Sequence, residues 1–277
     1  MSLITASLNS GSNGNCYYIG NANEAVLVDA GISCRETEKR LQKLNLSIAI
    51  VKAIFISHEH TDHIRGVAVL ANKYNIPVYI TDKTNSFCQG IKNELCRRLN
   101  PLSPVQIGSL SITAFSKFHD AADPHSFLIS SEGVNIGVFT DIGKVCREVI
   151  HFFKQCHAAY LETNYDTEML EKGNYPIHLK KRITGGRGHL SNHQALELFK
   201  LHRPAFMTHI FLSHLSQENN RPDIAMQIFK NYCSQTNFIV ASRHEATAVY
   251  VIHSSDKSIL RLPQQSQPKP KQLLLFE

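Results

Sequence analysis

Apolar runs of different lengths alternate with polar segments along the chain, and the run lengths separate strands from helices. Near the start, short β-rich runs flank the turn-forming segment NSGSNGN, which is typical of a hairpin and loop. Short buried runs then alternate with amphipathic stretches, which predicts alternating strands and helices. The predicted strands cover residues 3–8, 16–19, 25–29, 51–57, 78–80 and 205–213, with several between 110 and 141, and predicted helices cover 62–74, 86–99 and 193–202.

Two helix starts carry a capping-box pattern. Ser33 is followed three residues later by Glu36, and Ser191 is followed by Gln194. In this pattern the serine side chain and the acidic or amide side chain each satisfy a backbone N–H of the first turn. A last helix and two strands are predicted to follow and to end near His253.

The chain contains an internal echo. AIFISH at 53–58 resembles HIFLSH at 209–214, and VLVDAG at 26–31 resembles GVFTDIG at 137–143. Each half therefore offers one strand ending in Asp-x-Gly and one ending in Ser-His. We expect the four polar side chains to emerge from the same edge of stacked sheets, and this edge is the candidate site.

Composition adds three expectations. With 277 residues, of which 43% are hydrophobic, the chain can bury one large core or two modest ones, and its net charge of +6 gives mild support to a polyanionic partner. Seven scattered cysteines without a C-x-x-C pair indicate reduced thiols and a cytoplasmic location. Neither an export signal nor an apolar run long enough to span a bilayer is apparent, so no membrane association is expected.

The segment HEHTDH directly follows a predicted buried strand. Side chains two apart in an extended segment share one side, so His58 and His60 can hold one ion. Asp62 and His63 fall at the start of the next helix, where a carboxylate and an imidazole can hold a second. Histidines near acids also occur on ordinary surface loops, but four potential ligands at a strand end favour a metal site.

This H-x-H-x-D-H segment resembles the signature of the metallo-β-lactamase superfamily. The resemblance extends over residues 1–253 and implies a four-layer αββα sandwich with two divalent metal ions, zinc or manganese, at the sheet edges. The other motifs of the superfamily are matched by Asp29 in VLVDAG, His119 in KFHDAADPHSF, Asp141 in VFTDIG and His214 in FLSHLS.

The resemblance also implies a distribution of ligands. His58, His60 and His119 would hold one metal ion, Asp62, His63 and His214 the other, and Asp141 would bridge them, with Asp29 bracing the loop from behind. Two histidines compete for these roles. His125 fits the third motif less well than His119, and His209 lies at the start of its strand, where it would project away from the site.

Two neighbouring divalent ions lower the pKa of a bridging water, and the resulting hydroxide attacks the substrate. Such a site can open a lactam, a thioester or a phosphodiester, so the fold does not choose the substrate. Residues 161–214 are similar in order to a segment of the tRNA-maturing nucleases of the superfamily. By this similarity His189, with Glu162 as acidic partner, is a proton donor or phosphate binder that acts with Asp62; the alternative is a histidine at a helix start.

A denser set of motifs resembles the YycJ/WalJ family: SGSNGNC, LVDAGIS, ISHEHTDHIRGV, HDAADP, TDIG, LETNYD and GHLSN. This resemblance implies a 5′-to-3′ exonuclease acting on duplex DNA with a 5′ end, in DNA repair or replication. One departure is the pair His125-Ser126, where a small residue such as glycine is expected. The alternatives are a small-molecule metallo-hydrolase of the thioesterase or lactonase type, an RNA-processing nuclease, and a binding module with a vestigial site.

Two segments are candidates for contact with substrate phosphates. Lys181 and Arg187 belong to a basic run that can follow a phosphate backbone, although such runs are often solvated faces. Ser12 and Asn13 lie in a loop whose backbone N–H groups can receive a terminal phosphate, although a plain hairpin loop is the simpler interpretation.

Residues 254–277 are predicted to form a flexible tail, because PQQSQPKPK at 263–271 has linker composition. The following QLLLF is similar to the Q-L-x-L-F peptide with which bacterial replication and repair proteins bind the sliding clamp. The contacts would come from Gln272, Leu273, Leu275 and Phe276. The alternative is a tail packed on its own domain.

Overall fold

The computed structural model describes residues 2–232 and 236–254. The strands in these residues are β1 (Ser2–Asn9), β2 (Cys16–Gly20), β3 (Ala25–Val28), β4 (Val51–Phe55), β5 (Val78–Ile80), β6 (Cys96–Arg98), β7 (Val105–Ile107), β8 (Leu110–Ser116), β9 (His125–Ser131), β10 (Val134–Phe139), β11 (Ala158–Glu162), β12 (His209–Ser213), β13 (Asn237–Val240) and β14 (Tyr250–His253). The α-helices are α1 (Cys34–Lys43), α2 (Thr61–Ile64), α3 (Val67–Tyr74), α4 (Asp82–Asn85), α5 (Arg147–Phe153), α6 (Thr167–Lys172), α7 (Ile177–Thr184), α8 (Asn192–His202) and α9 (Pro222–Lys230).

Within the described residues the strands form two mixed sheets of seven. The first sheet has the order β14-β1-β2-β3-β4-β5-β6, and the second has the order β13-β12-β11-β10-β9-β8-β7. Side chains such as Tyr17, Phe55, Phe127, Tyr160 and Phe211 fill the space between the two sheets. The division of the strands between the two sheets follows the internal echo of the sequence, since each half of the chain builds most of one sheet.

Helices cover the outer face of each sheet. Leu41 of α1 and Leu70 of α3 pack with Ile54 on the first sheet, and Phe153 of α5 and Phe199 of α8 belong to the apolar layer over the second. Two sheets enclosed by two helical layers make the four-layer αββα sandwich, so the predicted fold is confirmed.

Parallel pairing fixes where the site lies. β3 pairs in parallel with β4, and β11 pairs in parallel with both β10 and β12, so the carboxyl ends of each set lie at one edge of a sheet. Asp29, Asp141 and His214 follow three of these strands with φ of 60°, 55° and 56°. Left-handed backbone is strained for residues other than glycine and clusters at functional sites.

Two helix predictions need correction. The segment 86–99 is not helical: Gly90 has φ of 83°, a short 3₁₀ turn covers Asn93–Leu95, and β6 then pairs in parallel with β5. The helix predicted over 62–74 is divided into α2 and α3 at Gly66. This residue donates to the carbonyl of Ala30, and a Cβ on it would lie 1.9 Å from the carbonyl oxygen of Ile32.

The predicted helix starts are largely confirmed. Ser191 and Gln194 form both bonds of a capping box at α8. Ser33 accepts from the backbone N–H of Glu36 at α1, while the Glu36 carboxylate accepts a hydrogen bond from Arg40. In the part of the chain that the structure describes, six cysteines are free thiols and no helix is long and apolar enough to cross a membrane. Except for Ser254, the tail with its clamp-like peptide at 272–276 lies outside the described residues, so the boundary at 253 stays a prediction.

Candidate metal centre

The adjoining edges of the two sheets bring together histidines and carboxylates from seven segments. His58 and His60 follow β4, and Asp62 and His63 occupy the first turn of α2. The remaining members are His119 after β8, Asp141 after β10, Glu162 at the end of β11, His189 before α8 and His214 after β12.

One group of donors consists of three imidazoles. Nε2 of His58 lies 3.1 Å from Nδ1 of His60, and Nε2 of His119 lies 3.3 Å from the same atom. Burial holds the pKa of His58 well below its ordinary value and lowers that of His119 to about 4. Both rings are therefore neutral at pH 7 and carry the lone pair that a metal ligand needs.

A second group of donors joins Asp62, His63 and His214. Oδ2 of Asp62 lies 3.5 Å from Nε2 of His63 and 3.6 Å from Nε2 of His214. Burial lowers the pKa of both imidazoles, but neighbouring carboxylates outweigh it. The pKa of His63 is raised well above its ordinary value, chiefly by Asp141, and that of His214 rises to about 10. A divalent cation bound among these groups would replace the protons that the neighbouring carboxylates stabilise on the two imidazoles.

Asp141 lies between the two groups. Its Oδ2 is 3.3 Å from Nε2 of His63, and its Oδ1 is 3.4 Å from Nε2 of His214 and 3.7 Å from Nε2 of His119. Burial raises the pKa of this carboxyl, but His214 and His63 hold it well below its usual range. Its two oxygens thus face donors of both groups, as expected of a bridging ligand.

The donor set fits divalent metal ions. Oδ2 of Asp141 and Nε2 of His214 are buried, and neither has a hydrogen-bond partner among the described residues. Buried polar atoms are rarely left in this state without an ion, a water or strain to account for it. Imidazole and carboxylate are also the ligands that zinc and similar ions take in proteins.

Asp29 orients His63 from behind. Its Oδ2 lies 2.7 Å from Nδ1 of His63, and its two oxygens accept from the backbone N–H and the hydroxyl of Ser57, each at 2.8 Å. Asp29 and His63 are fully buried, so this contact is shielded from solvent. Its position agrees with the bracing role expected from the sequence.

Glu162 organises the other side of the centre. Its Oε1 lies 2.7 Å from Nδ1 of His189 and 3.2 Å from Nδ1 of His214, while its Oε2 accepts from the backbone N–H groups of Ile142 and Leu190. Burial raises the pKa of this carboxyl, but His189 and the hydrogen bonds lower it to about 2. The sequence predicted the contact with His189 and missed the one with His214.

His189 is more exposed than His214, the other imidazole that contacts Glu162. Its side chain is 19% exposed, against 3% for that of His214. Its Nδ1 is directed at Glu162, so the contact with this carboxylate does not use Nε2. The ring centroids of His119 and His214 lie 5.2 Å and 5.4 Å away.

Three further residues of the site lie in motifs named above but were not singled out from the sequence: Asn15 in SGSNGNC, Asn164 in LETNYD and Lys117 in KFHDAADPHSF. Nδ2 of Asn15 lies 3.1 Å from Nε2 of His63, and Nδ2 of Asn164 donates to the carbonyl of His214 at 2.9 Å. Lys117 is buried and donates through Nζ to the carbonyl of Thr140, the residue before Asp141, at 2.6 Å. Burial lowers the pKa of this ammonium.

The competing histidines lie apart from these groups. His125 is buried in β9 with Nδ1 2.8 Å from the carbonyl oxygen of Asp123, and it belongs to none of the donor groups found in the described residues. His209 is buried at the start of β12, with its ring centroid 5.8 Å from that of Tyr250. Like His125, it belongs to none of the donor groups found in the described residues.

The predicted phosphate contacts lie at the surface around the centre. Ser12 and Asn13 are exposed, and Nδ2 of Asn13 donates to the carbonyl of Arg243. Lys181 and Arg187 line an open pocket. No bound group in the structure tests either set, so their role in binding stays a prediction.

Comparison with known proteins agrees with this geometry. The family model of the metallo-beta-lactamase superfamily matches residues 10–90. The chain is 32% identical to exodeoxyribonuclease YycJ of Bacillus anthracis over 92% of its own length and 96% of the relative's. It is also 32% identical to exodeoxyribonuclease WalJ of Streptococcus pneumoniae, over 83% and 88% of the two lengths.

A solved structure shares the fold at much lower identity. The metallo-beta-lactamase fold protein YhfI of Bacillus subtilis superposes with a TM-score of 0.71 at 16% identity, covering 91% of this chain and all of that one. At such identity the likeness shows the fold alone. Together with the near full-length relatives, it places the chain among hydrolases of the metallo-β-lactamase superfamily, in the family of the YycJ and WalJ exodeoxyribonucleases.

Proposed function

We propose that the protein is a 5′-to-3′ exonuclease that degrades duplex DNA from a 5′ end, in DNA repair or replication. The observation that carries the proposal is the Glu162–His189 pair, whose donor atoms lie close to those of Asp141 and His214, next to the groups His58–His60–His119 and Asp62–His63–His214. A protonable imidazole next to a dinuclear site suits displacement at phosphorus, in which the leaving oxygen needs a proton. The names of the two bacterial relatives support DNA as the substrate.

Two Zn²⁺ or Mn²⁺ ions are proposed as cofactors. His58, His60 and His119 would hold one, Asp62, His63 and His214 the other, and Asp141 would contact both. When bound, the ions supply an activated water at neutral pH and neutralise the charge that develops on the phosphate.

The protein's own groups supply orientation and a proton. Glu162 accepts from Nδ1 of His189 and so directs Nε2 of that ring outward. In the imidazolium form, Nε2 donates to the oxygen that leaves phosphorus, the 3′-oxygen of the released nucleotide. Asp62 and Asp29 contact the two nitrogens of the His63 imidazole on the opposite side of the centre.

The six free thiols among the described cysteines are what a reducing compartment maintains, which supports a cytoplasmic location.

The proposed function is tested by digestion of end-labelled DNA and RNA duplexes in parallel, with 5′ or 3′ phosphates and with zinc or manganese. We expect mononucleotides to be released from 5′ ends of DNA, and we expect His60→Ala to abolish the reaction. Cleavage of the RNA duplexes but not of the DNA duplexes would show that RNA, and not DNA, is the substrate. If the metal-replete protein cleaves neither DNA nor RNA but hydrolyses a thioester, the proposal is overturned in favour of a small-molecule hydrolase.

A further inference from the structure

A pocket of about 510 Å³ opens beside the candidate metal centre. Phe118 and Asp120, which line it, flank His119 in the sequence, and Arg187 of the opposite wall precedes His189 by two residues. The pocket and the centre are therefore built from the same two segments. Its volume lies within the usual range of about 300–1,000 Å³ for small-molecule sites.

Backbone contacts fix the pocket relative to the centre. The N–H of Gly143 donates to the carbonyl of Phe118 at 2.6 Å, and the carbonyl oxygen of Gly188 lies 3.1 Å from Nδ1 of His119. A Cβ on Gly143 would lie 2.4 Å from the Cα of Arg187, so glycine allows the two walls to approach closely. A ligand in the pocket would consequently have a defined position next to the metal centre.

Positive charge dominates the lining. Lys144, Lys181, Arg182 and Arg187 contribute four cations, and Asp120 contributes a carboxylate that pairs with Arg182. A concave surface of this sign attracts phosphate groups.

The pocket also presents an exposed aromatic ring. Phe118 is 40% exposed, and Nζ of Lys144 lies 3.9 Å from the centroid of its ring. A cation–π contact at an exposed site is weak, so the ammonium can leave the ring for a phosphate. An aromatic platform surrounded by cations is how proteins bind unpaired nucleotides, with bases stacked on rings and phosphates held by Lys and Arg.

We propose that this pocket binds the terminal nucleotide of the strand being degraded, with Phe118 stacked on its base and Lys144 and Arg187 in contact with its phosphates. The inference rests on the proposed nuclease function and deepens it. A base stacks on Phe118 only after it leaves its partner in the duplex, so the enzyme separates the end pair before cleavage. Phe118 is thereby a substrate-binding residue, although it offers no group for the chemistry.

The first test compares Phe118→Ala with Phe118→Tyr, which retains a ring, on duplexes with a normal or an abasic 5′-terminal nucleotide. On the normal end Phe118→Ala should lower kcat/KM about ten- to one-hundred-fold, the effect of losing one base–aromatic stack, and Phe118→Tyr should stay near the wild-type value. On the abasic end Phe118→Ala and the wild type should be equal. An equal loss on both substrates, or no loss on either, would overturn the proposal.

The second test measures binding without cleavage. A duplex with 2-aminopurine at the 5′ end and a hydrolysis-resistant methylphosphonate as its first linkage should lose fluorescence on binding the wild type and Phe118→Tyr, but not Phe118→Ala. Equal quenching by all three proteins would contradict the stacking role. If the protein cleaves no DNA but its quenching still depends on Phe118, the proposed nuclease function is refuted while the nucleotide-binding role of the pocket stands. Failure of the function and failure of the pocket assignment are therefore distinguishable.

Discussion

Oδ2 of Asp29 lies 2.7 Å from Nδ1 of His63 in a fully buried contact, which fixes the ring with Nε2 toward Asp62 and Asp141. Residues that hold a metal-binding histidine in this way typically contribute ten- to one-hundred-fold to metal affinity. The contact therefore makes Asp29, which follows β3, part of the candidate metal centre.

Asp29→Asn should lower the affinity for zinc by about ten- to one-hundred-fold, because the amide no longer supplies the charge that orients His63. Competition with a chromophoric chelator measures this. Asp82→Asn is the matched control: Asp82 pairs with Arg98 at the surface, where both side chains are more than half exposed. Unchanged zinc affinity in Asp29→Asn would show that His63 is not held for a metal.

His189→Ala should lower kcat for DNA cleavage by about 10²–10⁴-fold and leave the metal content unchanged, because His189 is assigned to proton transfer and not to metal binding. Metal analysis and kcat measured on the same preparation separate the two roles. The control is His193→Ala, an exposed residue on the first turn of α8. A parallel loss of metal and activity would instead make His189 a ligand.

Glu162→Gln tests both imidazole contacts of this carboxylate at once. The variant should lower kcat as His189→Ala does, and it should also weaken metal binding, since Oε1 contacts both His189 and His214. Zinc affinity equal to that of the wild type would exclude the second effect.

Part of the site that the sequence predicted is local or repeated, and the rest, namely His119, Glu162 and His189, followed from resemblance to known families. The spacing of His58, His60, Asp62 and His63 is contained in six residues, and the echo of Asp-x-Gly and Ser-His motifs brought in Asp141 and His214. Two contacts were missed because they depend on tertiary packing. They are the contact between Glu162 and His214 and the hydrogen bond that Lys117 donates to the carbonyl of Thr140.

The same reason accounts for the error over residues 86–99. Apolar residues in this segment are spaced as in a helix, but Gly90 has a positive φ, and β6 pairs with β5, where Cys96 lies opposite Val78, 18 residues earlier. Tertiary pairing therefore overrides local periodicity. The echo gives Asp29 and Asp141 equivalent positions, and only the resemblance to the superfamily distinguished their roles: Asp29 contacts the His63 ring from behind, and Asp141 faces both donor groups.

The buried imidazole of His209 should make stability depend on pH. Burial lowers its pKa to about 4, below the value of about 6.5 for an unfolded histidine. The unfolded chain therefore binds the proton first, so this stability is present above pH 6.5 and is lost as the pH falls through 4. Urea unfolding should show that the free energy of unfolding falls between pH 7.5 and 4.5, and that His209→Gln makes this fall smaller by about 1–3 kcal/mol. Parallel curves for the two proteins would contradict a neutral buried His209.

The peptide QLLLF near the carboxyl terminus gives a prediction independent of the metal centre. If it binds a bacterial sliding clamp, deletion of residues 272–277 should abolish clamp binding, and short-duplex cleavage should persist because the metal centre lies within residues 29–214. Phe276→Ala should weaken binding at least tenfold, since aromatic anchors carry much of the energy of such contacts. Leu274→Ala, at the variable position of the motif, is the matched control and should bind normally. Surface plasmon resonance with immobilised clamp measures all three, and unchanged affinity after the deletion would refute the assignment.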